Sequence, residues 1–187
     1  MSGISDSFQR PISYLRISVT DRCNLRCVYC MPPEGITLIP HSDVLRYEEL
    51  LSVVRVAAEM GINRIRLSGG EPLARAGLVD FVRMLAKVKE IEDLSLTTNG
   101  VLLKELAAGL KAAGLKRVNI SLDSLKRGRF KEITGHDRLP DVLEGIKAAE
   151  VAGLAPIKIN VVVMRGVNED ELLDFARLTL DGWNVRF

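Results

Sequence analysis

Six stretches of this chain alternate polar and apolar residues with a period of two, and helical stretches stand between them. That pattern limits the fold more than any other feature. In a strand, alternate side chains share a face. Tyr14, Arg16, Ser18 and Thr20 share one face of the first stretch, opposite Leu15, Ile17 and Val19. The same division sets Arg64, Arg66 and Ser68 against Ile65 and Leu67, and Ser95, Thr97 and Asn99 against Leu94 and Leu96. It sets Asn119, Ser121 and Asp123 against Val118, Ile120 and Leu122. Lys158 and Asn160 oppose Ile157, Ile159 and Val161, and Asn184 and Arg186 oppose Val185 and Phe187.

Helices are expected from Tyr47 to Gly61, over 77–89, 102–113 and 139–152, and from Asn168 to near Gly182. The last opens with Asn168 and Glu171 at capping-box spacing. Strand–helix alternation gives a parallel sheet covered by helices. A doubly wound sheet buries both faces, and its strands are then apolar throughout. Here every strand keeps one polar face, so the expected α/β fold is a curled sheet with helices outside and polar side chains within. A closed eight-stranded barrel fills its centre with branched apolar residues. Six strands with a polar lining instead predict a partial (β/α)6 TIM-like barrel, and the sequence stops at Phe187 within strand six. At 187 residues and 47% apolar, the chain supports one sizeable core and a single domain over 1–187. An N-terminal arm spans 1–13. A loop and connection span 21–46, where Pro32, Pro33, Gly35 and Pro40 forbid long regular structure.

Lys and Arg number 26 against 24 Asp and Glu, so global charge argues for no nucleic-acid partner. No apolar run reaches transmembrane length, and Met1–Gln9 is polar, without a signal-peptide pattern. The expectation is a cytoplasmic protein with no membrane partner.

All three cysteines lie in the loop after the first strand as Cys23-x3-Cys27-x2-Cys30. This is the strand edge at which barrel active sites are built. Thiolates so close together can hold an iron–sulfur cluster. A four-iron cubane with three protein ligands keeps one iron open to something that is not protein. A structural zinc would need His41 or His136 as a fourth ligand. A disulfide would leave an odd cysteine, and inert thiols are the third alternative. The ligand rules favour the cluster.

Five bases point inward from four strands: Arg16, Arg64, Arg66, Lys158 and Arg186. Buried charges need partners. These are either internal acids, Glu71 and Asp123, or a bound polyanion such as a triphosphate. In Ser68-Gly69-Gly70-Glu71-Pro72 the glycines permit close backbone approach to a ligand, and Glu71 could take an ammonium group. An ordinary strand–helix turn is the alternative there. Lys126-Arg127-Gly128-Arg129 reads as a solvated helix face.

The cysteine spacing resembles the signature of radical S-adenosylmethionine (SAM) enzymes. The run from Tyr14 through Cys23, then Met31-Pro32-Pro33-Glu34-Gly35, Ser68–Pro72, Leu96-Thr97-Thr98-Asn99-Gly100 and Asn119-Ile120-Ser121-Leu122-Asp123 resemble the GTP 3′,8-cyclase family of molybdenum cofactor biosynthesis. The likeness covers nearly the whole chain. It implies a 4Fe–4S cluster on Cys23, Cys27 and Cys30, with SAM on the open iron. It implies reductive cleavage of SAM to a 5′-deoxyadenosyl radical, which starts conversion of GTP to (8S)-3′,8-cyclo-7,8-dihydroguanosine 5′-triphosphate, a lyase reaction. SAM contacts are implied at Tyr29, Gly70 and Ser121, and Glu71 joins them on its chemistry. GTP contacts are implied at Arg16, Arg66, Thr97 and Lys158, and Arg64 and Arg186 are added on orientation alone. No catalytic side chain is assigned. Implied partners are an electron donor such as flavodoxin or ferredoxin, cyclic pyranopterin monophosphate synthase as the next enzyme, and a second copy in a homodimer. The family continues past strand six with another SAM-contacting methionine and three cysteines that hold a second cluster at the guanine. Residues 1–187 lack that segment, so they are expected to hold a triphosphate without reading its base. Two other readings are a radical SAM enzyme with another substrate, such as a peptide, and a non-catalytic metal- or nucleotide-binding fragment.

Overall fold

The sheet has six parallel strands in sequence order, each paired with the strand before it. A computed structural model describes residues 4–32 and 34–187. Residues 1–3 of the expected arm, and Pro33, lie outside the described residues. The strands are β1 (Tyr14–Ser18), β2 (Arg64–Ser68), β3 (Asp93–Thr98), β4 (Arg117–Ser121), β5 (Lys158–Asn160) and β6 (Asn184–Arg186). The helices are α1 (Tyr47–Glu59), α2 (Leu78–Leu85), α3 (Leu103–Ala112), α4 (Arg127–Thr134), α5 (Leu139–Val151) and α6 (Leu172–Arg177). The expected parallel α/β sheet with interleaved helices is present, and it is not closed.

The two-residue period works as expected. Ile65, Leu67, Leu96, Val118, Ile120 and Ile159 on the outer face are fully buried, against Val54, Phe81, Leu85, Leu110 and Ile146 of the helices. Each such side chain contributes about 1.5–3 kcal/mol by leaving water. Register stacks the inner face into rows. Arg16 lies opposite Arg66, and Arg66 opposite Ser95. One row nearer the C-terminal edge, Thr97, Asn119, Lys158 and Asn184 are successive partners. Above them Ser121, Asn160 and Arg186 form the next row.

The lower inner rows are closed rather than wet. Ser95 donates to the Ile65 carbonyl and Asn119 to the Leu96 carbonyl, and both side chains are buried. Arg117 and Asp93 form an ion pair there, so this acid is already matched. The interior opens into a cavity at the C-terminal strand edge.

In the described part of the arm, Ile4 donates to the Met60 carbonyl, and residues 5 and 11 form an antiparallel bridge. Three expectations need correction. The expected helix over 77–89 is the shorter α2, because Gly77 enters it in a left-handed conformation and the chain turns after Leu85. Asn168 does not cap a helix. It is buried, its amide donates to the Asp123 and Val162 carbonyls, and its oxygen accepts from Met164 N–H. Finally, the basic cluster that opens α4 is not simply solvated, because Arg129 pairs with Asp170 and with the fully buried Glu171.

Candidate active site

The cysteine loop leaves β1 and is fastened at both ends. At its start, Gly70 N–H donates to the Thr20 carbonyl and Glu71 N–H to the Arg22 carbonyl, each at 2.7 Å. At its far end, Arg26 N–H and Val28 N–H donate to the carbonyls of Thr134 and Ile133, which close α4. Leu25 is buried between these points as an apolar anchor. Cys30 and Met31 both donate to the Cys27 carbonyl, a tight turn that brings the last two cysteines together.

The loop roofs a cavity of about 300 Å³ at the C-terminal strand edge. Cys23, Cys27, Cys30, Tyr29, Gly70 and Ser121 line it, as do Arg16 and Thr97 from the substrate set. Sequence reasoning missed Asn99, Asp123 and Asn160, which also line it. The polar-face pattern carried that signal, since each belongs to the inward set at a strand's upper end.

Glu71 does not reach the cavity. It is 1% exposed, and its carboxylate accepts from Leu73 N–H, Thr98 hydroxyl and Asn99 N–H. Every approach is taken by protein, so Glu71 braces the β2 and β3 turns instead of binding an ammonium group. The glycines also serve a purpose beyond the one expected. A Cβ on Gly70 would lie 2.3 Å from the Arg22 carbonyl oxygen, and one on Gly69 would lie 2.3 Å from that of Thr20. The close approach they permit is that of the cysteine loop.

Among the bases, Arg16 donates to Ser68 at 2.9 Å and faces the cavity. Arg66 lies beside it with its guanidinium 5.4 Å from the Tyr14 ring, and its Nε is buried without a hydrogen-bond partner among the described residues. Lys158 is half-buried one row higher. Arg64 is misplaced as a phosphate candidate: it sits at the N-terminal end of β2, is exposed, and donates to the Ser13 hydroxyl. Arg186 is exposed on the terminal strand and is not among the cavity-lining residues. The internal ion pairs weighed for these bases do not form. Glu71 is taken up as described, and Asp123 accepts from Tyr29 hydroxyl and Val162 N–H.

The cysteines fit a cluster better than a single ion. One zinc ion holds its ligand sulfurs at about 2.3 Å from one point. Among the described residues no three Cys, His, Asp or Glu side chains are gathered that closely. His41 lies against the Arg22 guanidinium. A cluster is larger, and each cysteine binds a different iron. Three thiols around one 300 Å³ cavity suit that arrangement. Burial raises the Cys23 thiol and pushes Cys27 up to about 11, with the Asp123 charge adding to the latter. Metal ligation by these groups must therefore release protons.

A partial barrel with a three-cysteine loop over its C-terminal edge is the site of a radical SAM enzyme. The chain matches the Radical SAM superfamily over residues 17–179 and belongs to it. It is 54% identical over 183 residues to the GTP 3′,8-cyclase of Petrotoga mobilis, covering 97% of this chain and 57% of that protein. It is 58% identical over 175 residues to the GTP 3′,8-cyclase of Moorella thermoacetica, covering 94% and 54%. The chain thus spans somewhat more than half the length of these relatives. Among solved structures it resembles anSMEcpe with bound AdoMet, with a TM-score of 0.73 at 20% identity, covering 94% of this chain and 49% of that one. The Streptococcus suis SuiB bound to its precursor peptide gives a TM-score of 0.68 at 22% identity, covering 88% and 36%. These last two likenesses are of fold alone. Among the described residues no helix is long and apolar enough to cross a membrane.

Proposed function

We propose that these residues form the radical SAM core of a GTP 3′,8-cyclase that acts in the cytoplasm in molybdenum cofactor biosynthesis. The observation that carries this reading is the cavity that the three cysteines share with Arg16 and Thr97, with Arg66 opposite Arg16 in register. Arg16 spends its Nε on Ser68, and a triphosphate supplies acceptors for its remaining donors. The identity of 54–58% to GTP 3′,8-cyclases supports the same choice.

In this reading Cys23, Cys27 and Cys30 hold a 4Fe–4S cluster, which when bound supplies the electron that cleaves SAM. Tyr29, Gly70 and Ser121 border the SAM position, and Asn99 and Asp123 complete its polar wall. Arg16, Arg66 and Lys158 hold the triphosphate, and Thr97 lies between them and the cysteines. The loop roofs this space, and the buried side chains of Ser95 and Asn119 close the wall beneath it. The electron comes from a small carrier protein such as flavodoxin or ferredoxin. The product passes to cyclic pyranopterin monophosphate synthase, and the working unit is a homodimer.

The test is anaerobic reconstitution of the full-length protein, with iron and sulfide analysis and assays of SAM cleavage and GTP binding. Two four-iron clusters per full-length chain and 5′-deoxyadenosine are expected, and Cys27→Ala should lose one cluster and all of the 5′-deoxyadenosine. GTP binding should weaken at least tenfold in Arg66→Ala and fall with added salt. Unchanged GTP affinity in Arg66→Ala would overturn the substrate placement, and a stoichiometric single metal ion would overturn the cluster.

A further inference from the structure

Among the described residues, one side-chain hydrogen bond ties the cysteine loop to the β4–β5 side of the cavity. Tyr29 hydroxyl donates to Asp123 Oδ2 at 2.5 Å, across 94 residues of sequence. The other carboxylate oxygen, Oδ1, accepts from Val162 N–H at 2.8 Å. Asp123 follows β4 and Val162 follows β5, so this single carboxylate joins the ends of two strands to the loop. Behind it, buried Asn168 donates to the carbonyls of both Asp123 and Val162. Each member of the chain Asn168–Asp123–Tyr29 is fixed by the next.

From this geometry we infer that Asp123 is a positioning residue that latches the cysteine loop through the Tyr29 hydroxyl, setting the height of the roof over the SAM site. The inference rests on the radical SAM reading proposed above. Without the latch, the loop is held by its β2-turn bonds, by the Asn99 amide donating to the Asn24 side chain, and by the two backbone bonds to α4. The turn at Cys27 shapes the stretch from Tyr29 to Cys30, but none of these bonds ties that stretch to the sheet. Asp123 is 4% exposed, and a buried carboxylate is held in one orientation only when its oxygens are engaged. Val162 N–H engages one and Tyr29 the other. The contact is charge-assisted, and such bonds are shorter and about twice as strong as neutral ones.

The test uses reconstituted full-length protein carrying Tyr29→Phe, Asp123→Ala, or both. Three readouts are needed: SAM dissociation constant, the change that SAM makes in the electron-paramagnetic spectrum of the reduced cluster, and hydrogen exchange of loop amides without SAM. Each single change is expected to weaken SAM binding about tenfold. The double variant should bind no worse than Asp123→Ala alone, because that change already removes the Tyr29 contact. Amides of Arg26 and Val28 should exchange faster in Tyr29→Phe before any SAM is added, which loss of a mere SAM contact would not cause. Where Asp123→Ala does not fold, Tyr29→Phe alone decides. Wild-type SAM affinity and wild-type exchange in Tyr29→Phe would overturn the latch, as would additive losses in the double variant. If wild type itself takes up no cluster and binds no SAM, the underlying reading fails instead.

Discussion

Two residues of the Ser68–Pro72 turn show how a side chain's role follows from what lies nearest to it. Gly70 faces the backbone of Arg22, so Gly70→Ala should disrupt the loop junction itself. We expect a loss of about 1–3 kcal/mol in urea unfolding, with reduced iron content. A variant with full iron content and weak SAM binding would mean that the glycine faces ligand instead. Glu71 gives a pH signature. Burial raises its carboxyl above the ordinary 4.5, outweighing the three hydrogen bonds that lower it. The folded chain therefore binds more protons than the unfolded chain between the two values. Stability from this group declines as pH rises through that window and is level above it. Glu71→Gln should be less stable at every pH, since an amide nitrogen would meet an N–H donor. Its deficit relative to wild type should shrink as pH rises from 4.5, which paired unfolding curves would show. A deficit that grew with pH would contradict the assignment.

At the scale of elements, the loops after β4 and β5 matter more than their short strands suggest. Asn168 makes three buried hydrogen bonds there, so Asn168→Ala should cost about 2–3 kcal/mol in urea unfolding. A loss under 1 kcal/mol, on the order of one ordinary hydrogen bond, would mean that the strand ends hold without it. This residue also shows where sequence reading stops. Its spacing to Glu171 fits a capping box, yet tertiary partners 45 residues away claim its amide. Period-two alternation did reveal all six strands, because a half-polar strand records which side faces the interior. It placed Arg16, Thr97 and Ser121 at the cavity for the same reason. Alternation gives a side chain's face but not its height along the strand, so it groups Arg64 with residues one to three rows above it. The cysteines were legible because their ligand spacing is local. The Tyr29–Asp123 contact was not, because nothing local joins those positions.

Over the whole molecule, charge is nearly balanced, at 26 bases to 24 acids, yet its placement is uneven. Surface bases such as Lys104, Arg127 and Arg138 have acidic partners. The inner wall instead carries Arg16, Arg66 and Lys158. A modest net charge thus coexists with an interior set for an anion, and focusing in a low-dielectric cleft strengthens its field. The sheet's strict sequence order has a further consequence, for the timing of assembly during synthesis. The cysteines are made first, but their fastenings come from Gly70, Asp123 and Thr134. A ribosome exposing the first fifty residues displays three thiols with no cradle around them. The cradle of these thiols is complete only after α4 has emerged, so the site can receive its cluster only once the chain has folded through Thr134.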